Sequence, residues 1–184
     1  MERLNPRARR DAYGSKINRD HSPVLAVGVV WLSIMLASLT PILPIISSAP
    51  VVPPLALMLL IAWRLSRPAL LPLWAGFFFG LFDDLFSGQP LGSGIMLFSL
   101  ALIALDLIEA RFPWSGFWQD WAVASLIIAV YIAVAALVSG AEISYIQLGV
   151  TIPQILIALA LFPLVARIVT LLDRLRLSRV RRLS

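Results

Sequence analysis

The sequence predicts an all-α integral membrane protein, a bundle of about six transmembrane helices, from three observations. Of the 184 residues, 60% are hydrophobic, and the mean hydropathy is +0.90, whereas soluble domains are about 45–50% apolar. The apolar residues form stretches that approach the roughly 20 residues needed to cross a bilayer. Lys and Arg lie in the tails and in alternate connections, apart from Arg167 near the inner end of the sixth apolar run, as in multi-pass proteins. Almost nothing then remains for a soluble domain.

Six spans are predicted between two basic tails, residues 1–23 and 173–184, which leaves 24–172 as the membrane domain. The first apolar run is too long for the core of a cleaved signal peptide, so it is interpreted as an uncleaved span. The approximate spans are 24–46, 50–63, 69–86, 91–110, 121–139 and 147–172.

Prolines help to place the ends of these spans, because proline is tolerated in the first turn of a helix but bends or ends it elsewhere. The first span is expected to bend or end near Pro41 and Pro44, and Pro54 is expected in the first turn of the second. The sixth span is expected to kink at Pro153 and Pro163.

Positive charge supports this topology. Both tails, the loop with Arg64 and Arg67, and the loop with Arg111 fall on one side of the membrane, whereas the other three connections carry no Lys or Arg. By the positive-inside rule, both termini are predicted to be cytoplasmic. Basic tails beside a membrane interact favourably with anionic lipid headgroups. The tails are therefore expected to contact the bilayer, and no nucleic-acid partner is predicted.

The most distinctive stretch joins the third and fourth spans. Five residues recur at every fourth position: Gly76, Gly80, Asp84, Gly88 and Gly92. Positions four apart share one face of a helix, so the glycines form a narrow stripe that a second helix can approach closely. Gly88 is expected to break the helix, and Pro90 suits the first turn of the next one. The pattern predicts a helical hairpin with an acid near its turn.

Asp84 lies on this stripe and is expected to point into the bundle, whereas Asp83, rotated by about 100° on the helix, is expected to reach water. No Arg is predicted on that side. The expected partners of Asp84 are therefore N–H groups at the start of the fourth helix, which stabilise an anion, and the Ser93 hydroxyl. Asp84 would then lock the hairpin. A proton or cation site at Asp84 is the alternative.

A second group of charges lies near the inner end of the bundle. Asp106 and Glu109 are three residues apart on the fourth span, and an ion pair with Arg167 of the sixth is predicted, with Arg111 as a competing partner. No activated nucleophile or set of metal ligands accompanies these carboxylates. The single histidine, His21, lies in a polar tail. No catalytic residue, metal site or cofactor is predicted.

The connection before the fifth span is rich in aromatic residues at helical spacing: Trp114, Phe117, Trp118 and Trp121. Their i, i+3, i+4, i+7 spacing places them on one face of a helix. Such a face is typical of an aromatic belt at the level of the lipid headgroups. A partner-binding surface is the alternative interpretation.

The hairpin resembles the MreD family of bacterial rod-shape-determining membrane proteins. The residues that carry the resemblance are Gly80, Asp84, Leu85, Gly88, Leu91 and Gly92, with Pro90 inside the motif. The stretch from Pro54 to Trp63 with the following Arg67-Pro68, and Phe162-Pro163 before the basic tail, are similar to the family as well. Asp106 and Glu109 match no family motif.

The resemblance implies a non-catalytic scaffold of the cell-elongation and peptidoglycan-synthesis machinery in the bacterial inner membrane. The implied direct partner is an MreC-like single-span protein. The implied indirect partners are the actin-like MreB filament and the pair formed by RodA and a penicillin-binding synthase. The implied fold is similar to the substrate-binding subunits of energy-coupling-factor transporters. The alternative function is therefore a vitamin-type binding subunit of a membrane importer.

Overall fold

The computed structural model describes residues 23–42, 52–112, 116–139 and 145–176, and most of this part of the chain is helical. Its six α-helices are α1 (Pro23–Ser38), α2 (Leu55–Ser66), α3 (Ala75–Ser87), α4 (Ser93–Arg111), α5 (Phe117–Val138) and α6 (Tyr145–Arg176). Short 3-10 turns follow α1 at Thr40–Ile42 and α2 at Pro68–Leu70. The predicted all-α class is confirmed. Most of the two predicted tails lies outside the described residues.

Helix α2 is the centre of the bundle. Its residues from Ala56 to Arg64 are buried with a single partly exposed exception, and Trp63 is fully enclosed. Helices α1, α4, α5 and α6 pack against it, and around it the contacts run from α1 to α3, α4, α5, α6 and back to α1. A helix that is apolar on all sides is expected in such an enclosed position.

The outside of the bundle is apolar. Large hydrophobic side chains such as Leu32 on α1, Leu126 on α5 and Leu156 on α6 are more than half exposed. Three described helices, 93–111, 117–138 and 151–174, are long and apolar enough to cross a membrane. Helices α1 and α2 are apolar but shorter within the described residues. A long apolar surface of this kind belongs in lipid, so the chain is an all-α membrane protein.

The third helix begins later than its predicted span of 69–86, at Ala75. The reason is Pro72, because a residue that precedes proline is pushed out of the helical region. Leu71 is accordingly extended, with φ −112° and ψ 105°. The connection therefore turns before α3 starts, and the glycine stripe occupies a short helix of 13 residues.

Helix α6 continues through both prolines that were expected to kink it. Pro163 has no N–H, so it cannot bond the carbonyl group four residues earlier, that of Leu159. The indole Nε1 of Trp121 on α5 donates a hydrogen bond to this carbonyl oxygen at 3.2 Å. The proline therefore creates an acceptor that joins α5 to α6.

Candidate functional site

Two glycines shape the turn between α3 and α4. Gly88, at the end of α3, has φ +69°, and Gly92, immediately before α4, has φ +99°. Both values lie in the left-handed region that side chains other than glycine rarely occupy. A left-handed glycine is a common end of a helix. Pro90 lies between them, so the chain reverses within a few residues, as the motif predicts.

Asp84 caps the helix that follows it. Its Oδ2 accepts a hydrogen bond from the N–H of Gly92 at 2.8 Å, and its Oδ1 accepts one from the N–H of Gly94 at 2.7 Å. A longer contact joins Oδ2 to the N–H of Ile95 at 3.4 Å. The first N–H groups of a helix have no partner within it, and Gly92 has no side chain to supply one. The buried carboxylate of Asp84 takes that role and also meets the positive end of the α4 dipole.

The Ser93 hydroxyl was expected to be a partner of Asp84, and it is a weaker one. Ser93 Oγ lies 3.3 Å from Asp84 Oδ1 but donates to the carbonyl oxygen of Pro90 at 2.8 Å. A hydroxyl has one proton, so the shorter bond takes it. The Ser93 side chain thus stabilises the turn, while backbone N–H groups hold Asp84.

The glycine stripe brings α3 and α4 into backbone contact. A Cβ atom on Gly80 would lie 2.6 Å from the Cα of Ile95 and would overlap the carbonyl group of Gly94. A Cβ on Gly76 would lie 2.9 Å from the Cα of Ser99. Real Cβ atoms do not come this close to a backbone, so only glycine fits at these two positions. Small residues at four-residue spacing permit this approach between membrane helices.

Gly94 is a functional residue that the sequence analysis missed. A Cβ at this position would lie 2.6 Å from Asp84 Oδ1 and 2.9 Å from the carbonyl oxygen of Gly80. Its lack of a side chain therefore allows both the capping bond and the close helix contact. The Gly92-Ser93-Gly94 sequence was the available signal, but the four-residue period of the stripe does not include Gly94.

Because α4 covers the stripe, the stripe is not a free surface for another protein. The exposed face of α3 is the adjacent row of large apolar residues Phe77, Leu81 and Leu85, which Leu73 extends just before the helix begins. Leu85 and Leu91, the two leucines of the motif, are among the most exposed, at 62% and 76%. The motif thus combines glycines and an acid that build the hairpin with leucines that project from it.

Asp83 does not reach water as expected. It is only 9% exposed, close to the 4% of Asp84. Helix α1 packs against α3, and its Ser38 lies against the Asp83 carboxyl group. Tyr131 of α5 is near both carboxyl groups. The rotation of about 100° between the two acids moves Asp83 from the face covered by α4 to one covered by α1.

The predicted ion pair has a different cation. Arg64, near the end of α2, lies 2.5 Å from Asp106 and 3.3 Å from Glu109. Its guanidinium also donates to the carbonyl oxygen of Pro68. Arg167 is exposed on α6 and has no ion pair with either carboxylate. The correction follows from the fold, because α2 packs against α4 and brings Arg64 beside Asp106.

A second ion pair, at the same end of the bundle as Arg64 and Asp106, was not predicted. Arg67, just after α2, lies 3.1 Å from Asp173 near the end of α6. The two arginines assigned to a free positive loop therefore fasten the central helix to α4 and α6. The Arg64 side chain is 9% exposed, whereas Asp106 and Glu109 are about half exposed.

The predicted aromatic face is divided in two. Phe117 and Trp118 on α5 are exposed, at 62% and 75%. Either an aromatic belt at the headgroups or a partner-binding surface requires such exposure. Trp121 is partly buried and bonded to α6, so it is structural. Trp114 lies outside the described residues. A further cluster, which the sequence did not indicate, joins α1 to α3, with ring centroids of Trp31 and Phe79 4.7 Å apart.

The arrangement in the hairpin is suited to holding two helices in one fixed geometry. Within the described ranges, no group of three or more His, Cys, Asp or Glu residues is placed to hold a metal ion. The carboxylate of Asp84 accepts hydrogen bonds from the N–H groups of Gly92 and Gly94. The backbone of α4 fills the space beside Gly76 and Gly80. The hairpin therefore presents a rigid shape and exposed leucines.

Comparison with known proteins agrees with the motif. No curated protein and no solved structure matches the chain, so the expected likeness to transporter subunits stays a prediction. A family model described as "rod shape-determining protein MreD" matches residues 22–175, which include all six helices up to the last turn of α6. The chain therefore belongs to the MreD family and is a rod-shape-determining membrane protein.

Proposed function

We propose that this chain is a non-catalytic scaffold of the bacterial cell-elongation machinery, which binds an MreC-like single-span protein in the inner membrane. The family match across the six helices is the observation that carries the proposal. Through that partner, the scaffold would link an MreB-like filament and the RodA and penicillin-binding synthase pair to one place in the membrane.

The geometry of the bundle supports a scaffold in two ways. The α3–α4 hairpin is held by backbone contact at Gly80 and by the cap at Asp84, which favours a fixed outline. The five helices around α2, here called the ring helices, are α1, α3, α4, α5 and α6, and their outer faces are apolar. Van der Waals packing is a principal contribution to association between membrane helices. The glycine stripe is used within the bundle, so the partner must bind to one of these outer faces.

The proposed orientation places both termini, and the ion pairs of Arg64 with Asp106 and Glu109, on the cytoplasmic side of the membrane. The α3–α4 turn then lies on the periplasmic side. The one-sided distribution of Lys and Arg supports it. The chain has no cysteine, so single cysteines can report each side. Cysteines at Ser48, Gln89 and Ser144 are expected to react with an impermeant maleimide in intact cells. Cysteines at Ser15 and Ser184 are expected to react after lysis, and labelling of Ser184 in intact cells contradicts the orientation.

Photo-crosslinking tests the partner. A photoreactive amino acid is placed singly at exposed positions of the five ring helices: Leu32, Phe78, Leu100, Leu126 and Leu156. One single-span protein is expected to be trapped from one helix or from two helices that touch each other, because a single helix covers only part of the ring. Met58, which is fully buried on α2, is the control position and should trap nothing.

The alternative function gives a different result. If no ring position traps a single-span protein, and the purified protein retains a vitamin-sized ligand, the importer-subunit function replaces the scaffold. Capture of many unrelated membrane proteins at equal yield from every position also contradicts the proposal, because it indicates contact with lipid alone.

A further inference from the structure

A row of exposed apolar side chains runs along the outer face of α4. It consists of Met96, Leu100, Ile103 and Leu107, whose exposure ranges from 44% for Met96 to 66% for Leu107. Their spacing of three or four residues puts them on one side of the helix, over about 17 Å of its length. Helices α2, α3 and α5 pack against the other sides of α4. These four residues, here called the α4 row, are therefore available to lipid or to another protein.

Two half-exposed carboxylates flank the α4 row at its inner end. Asp106 lies one turn from Ile103, and Glu109 lies one turn from Asp106. Their side chains are 50% and 46% exposed, whereas the other acidic residues of the described part of the chain are buried or partly buried. The late start of α3 leaves the two carboxylates uncovered. Gly76, in the first turn of α3, lies against Ser99, so α3 does not extend along the last turns of α4.

The charges of this group do not balance. Within the described ranges, Arg64 is the cation that pairs with Asp106 and Glu109, so one guanidinium faces two carboxylates. Arg111 ends the same helix, but it forms no ion pair with either carboxylate in the described part of the chain. It is rotated by about 200° from Glu109 and points to another side of α4. One negative charge therefore remains beside the α4 row.

This negative charge discriminates between the possible occupants of the α4 row. In the proposed orientation it lies beside the cytoplasmic leaflet, whose anionic headgroups it repels. A second copy of this chain, related by a two-fold axis, would bring the same carboxylates together. A membrane-spanning helix usually carries Lys or Arg at its cytoplasmic end, by the positive-inside rule. Such a helix offers the opposite charge at the same depth, together with an apolar side for the row.

We propose that the α4 row is the docking surface for a single membrane-spanning helix, and that Asp106 and Glu109 pair with a Lys or Arg at the cytoplasmic end of that helix. The row supplies van der Waals contact through the membrane. The carboxylates fix the register of the helix and select its charge, as complementary charges do at other interfaces. The inference rests on the proposed function, because it assigns a face and a recognition charge to the single-span partner of the scaffold.

Photo-crosslinking in cells that produce the full chain locates the surface. A photoreactive amino acid at Leu100 or Leu107 is expected to trap one single-span protein with Lys or Arg at its cytoplasmic end. The yield should be several times that from Leu32 on α1 or Leu156 on α6, because these two ring helices do not pack against α4. Capture of that protein from α1 or α6 but not from α4 overturns the docking surface and leaves the scaffold function intact. Capture of no single-span protein from any ring helix contradicts both. Capture from the α4 row of a second copy of this chain, or of lipid alone, also overturns the docking surface.

Charge substitutions test the recognition. Glu109→Lys is expected to lower the yield from Leu107 several-fold at unchanged abundance in the membrane, because it replaces attraction by repulsion. Asp120→Lys makes the same change on α5, at the same end of the bundle, and should leave the yield unchanged. Replacement of the trapped partner's cytoplasmic Lys or Arg by Glu should restore the yield in Glu109→Lys, which a merely structural role of Glu109 does not explain.

A second variant covers a loss of abundance. If Glu109→Lys accumulates poorly, the yield is measured in Glu109→Gln, which keeps the shape of the side chain and removes only its charge. A smaller decrease in yield is expected there. An unchanged yield in both variants overturns the proposal, and so does a decrease that the partner's substitution by Glu does not restore.

Discussion

Gly80→Leu is expected to prevent accumulation of the protein in the membrane. The new side chain would start within 2.6 Å of the Ile95 Cα, where the neighbour is backbone and cannot rotate away. Overpacking usually costs about 1–3 kcal/mol, and more when backbone must move. A loss of about 1–2 kcal/mol already lowers cellular abundance several-fold. The measurement is the amount of membrane-inserted protein on an immunoblot, together with cell shape in a strain that depends on this chain.

The matched control is Gly28→Leu. Gly28 lies within α1, and a Cβ there meets no atom within 4 Å. The same change in side chain is expected to leave abundance and rod shape unchanged. Gly80→Ala should fall between the two, because one methyl group requires a smaller separation of α3 and α4. If Gly80→Leu accumulates and supports rod shape like Gly28→Leu, the close contact between α3 and α4 is wrong.

Asp84→Leu is the second substitution with a large expected effect. It removes the acceptor for the N–H groups of Gly92 and Gly94, of which Gly94 is buried and Gly92 is exposed. Each buried donor left without a partner costs about 1–3 kcal/mol. The loss of the favourable carboxylate–dipole interaction adds about 0.3–2 kcal/mol. We expect lower abundance, earlier thermal unfolding and loss of rod shape.

Asp84→Asn distinguishes the cap from a proton carrier at this position. Both carboxylate oxygens accept from N–H groups, whereas an amide has only one oxygen, so its NH₂ group must face a donor. We therefore expect partial loss of stability with partial activity, in proportion to the remaining protein. Complete loss of rod shape at normal abundance and normal thermal stability would contradict the cap and favour titration of Asp84.

The sequence alone was sufficient for the class of the fold and for the hairpin. Composition and apolar run length predict membrane helices without tertiary information, because lipid exposure imposes the same requirement on every span. The four-residue period of Gly76, Gly80 and Asp84 defines a helix face through local geometry alone. The N–H partners of Asp84 were also predictable, because they lie 8 and 10 residues further along the chain.

Contacts between distant segments were not predictable in this way. Arg64 and Asp106 are separated by 42 residues, and the sequence equally permits Arg111 or Arg167 as the partner. The burial of Asp83 depends on α1, and the bond of Trp121 depends on Leu159 of α6. The helical phase indicates which residues share a face, but it does not indicate which helix covers that face.

The difference follows from the packing around α2. Apolar spans carry little information about their neighbours, since any of them can pack against another or face lipid. The order of helices around α2 selects the cation for Asp106, covers the glycine stripe with α4 and leaves Leu85 and Leu91 outside. Hydrogen bonds and turns between residues a few positions apart can thus be predicted from the sequence. The burial of a side chain and its partner on another helix are properties of the assembled bundle.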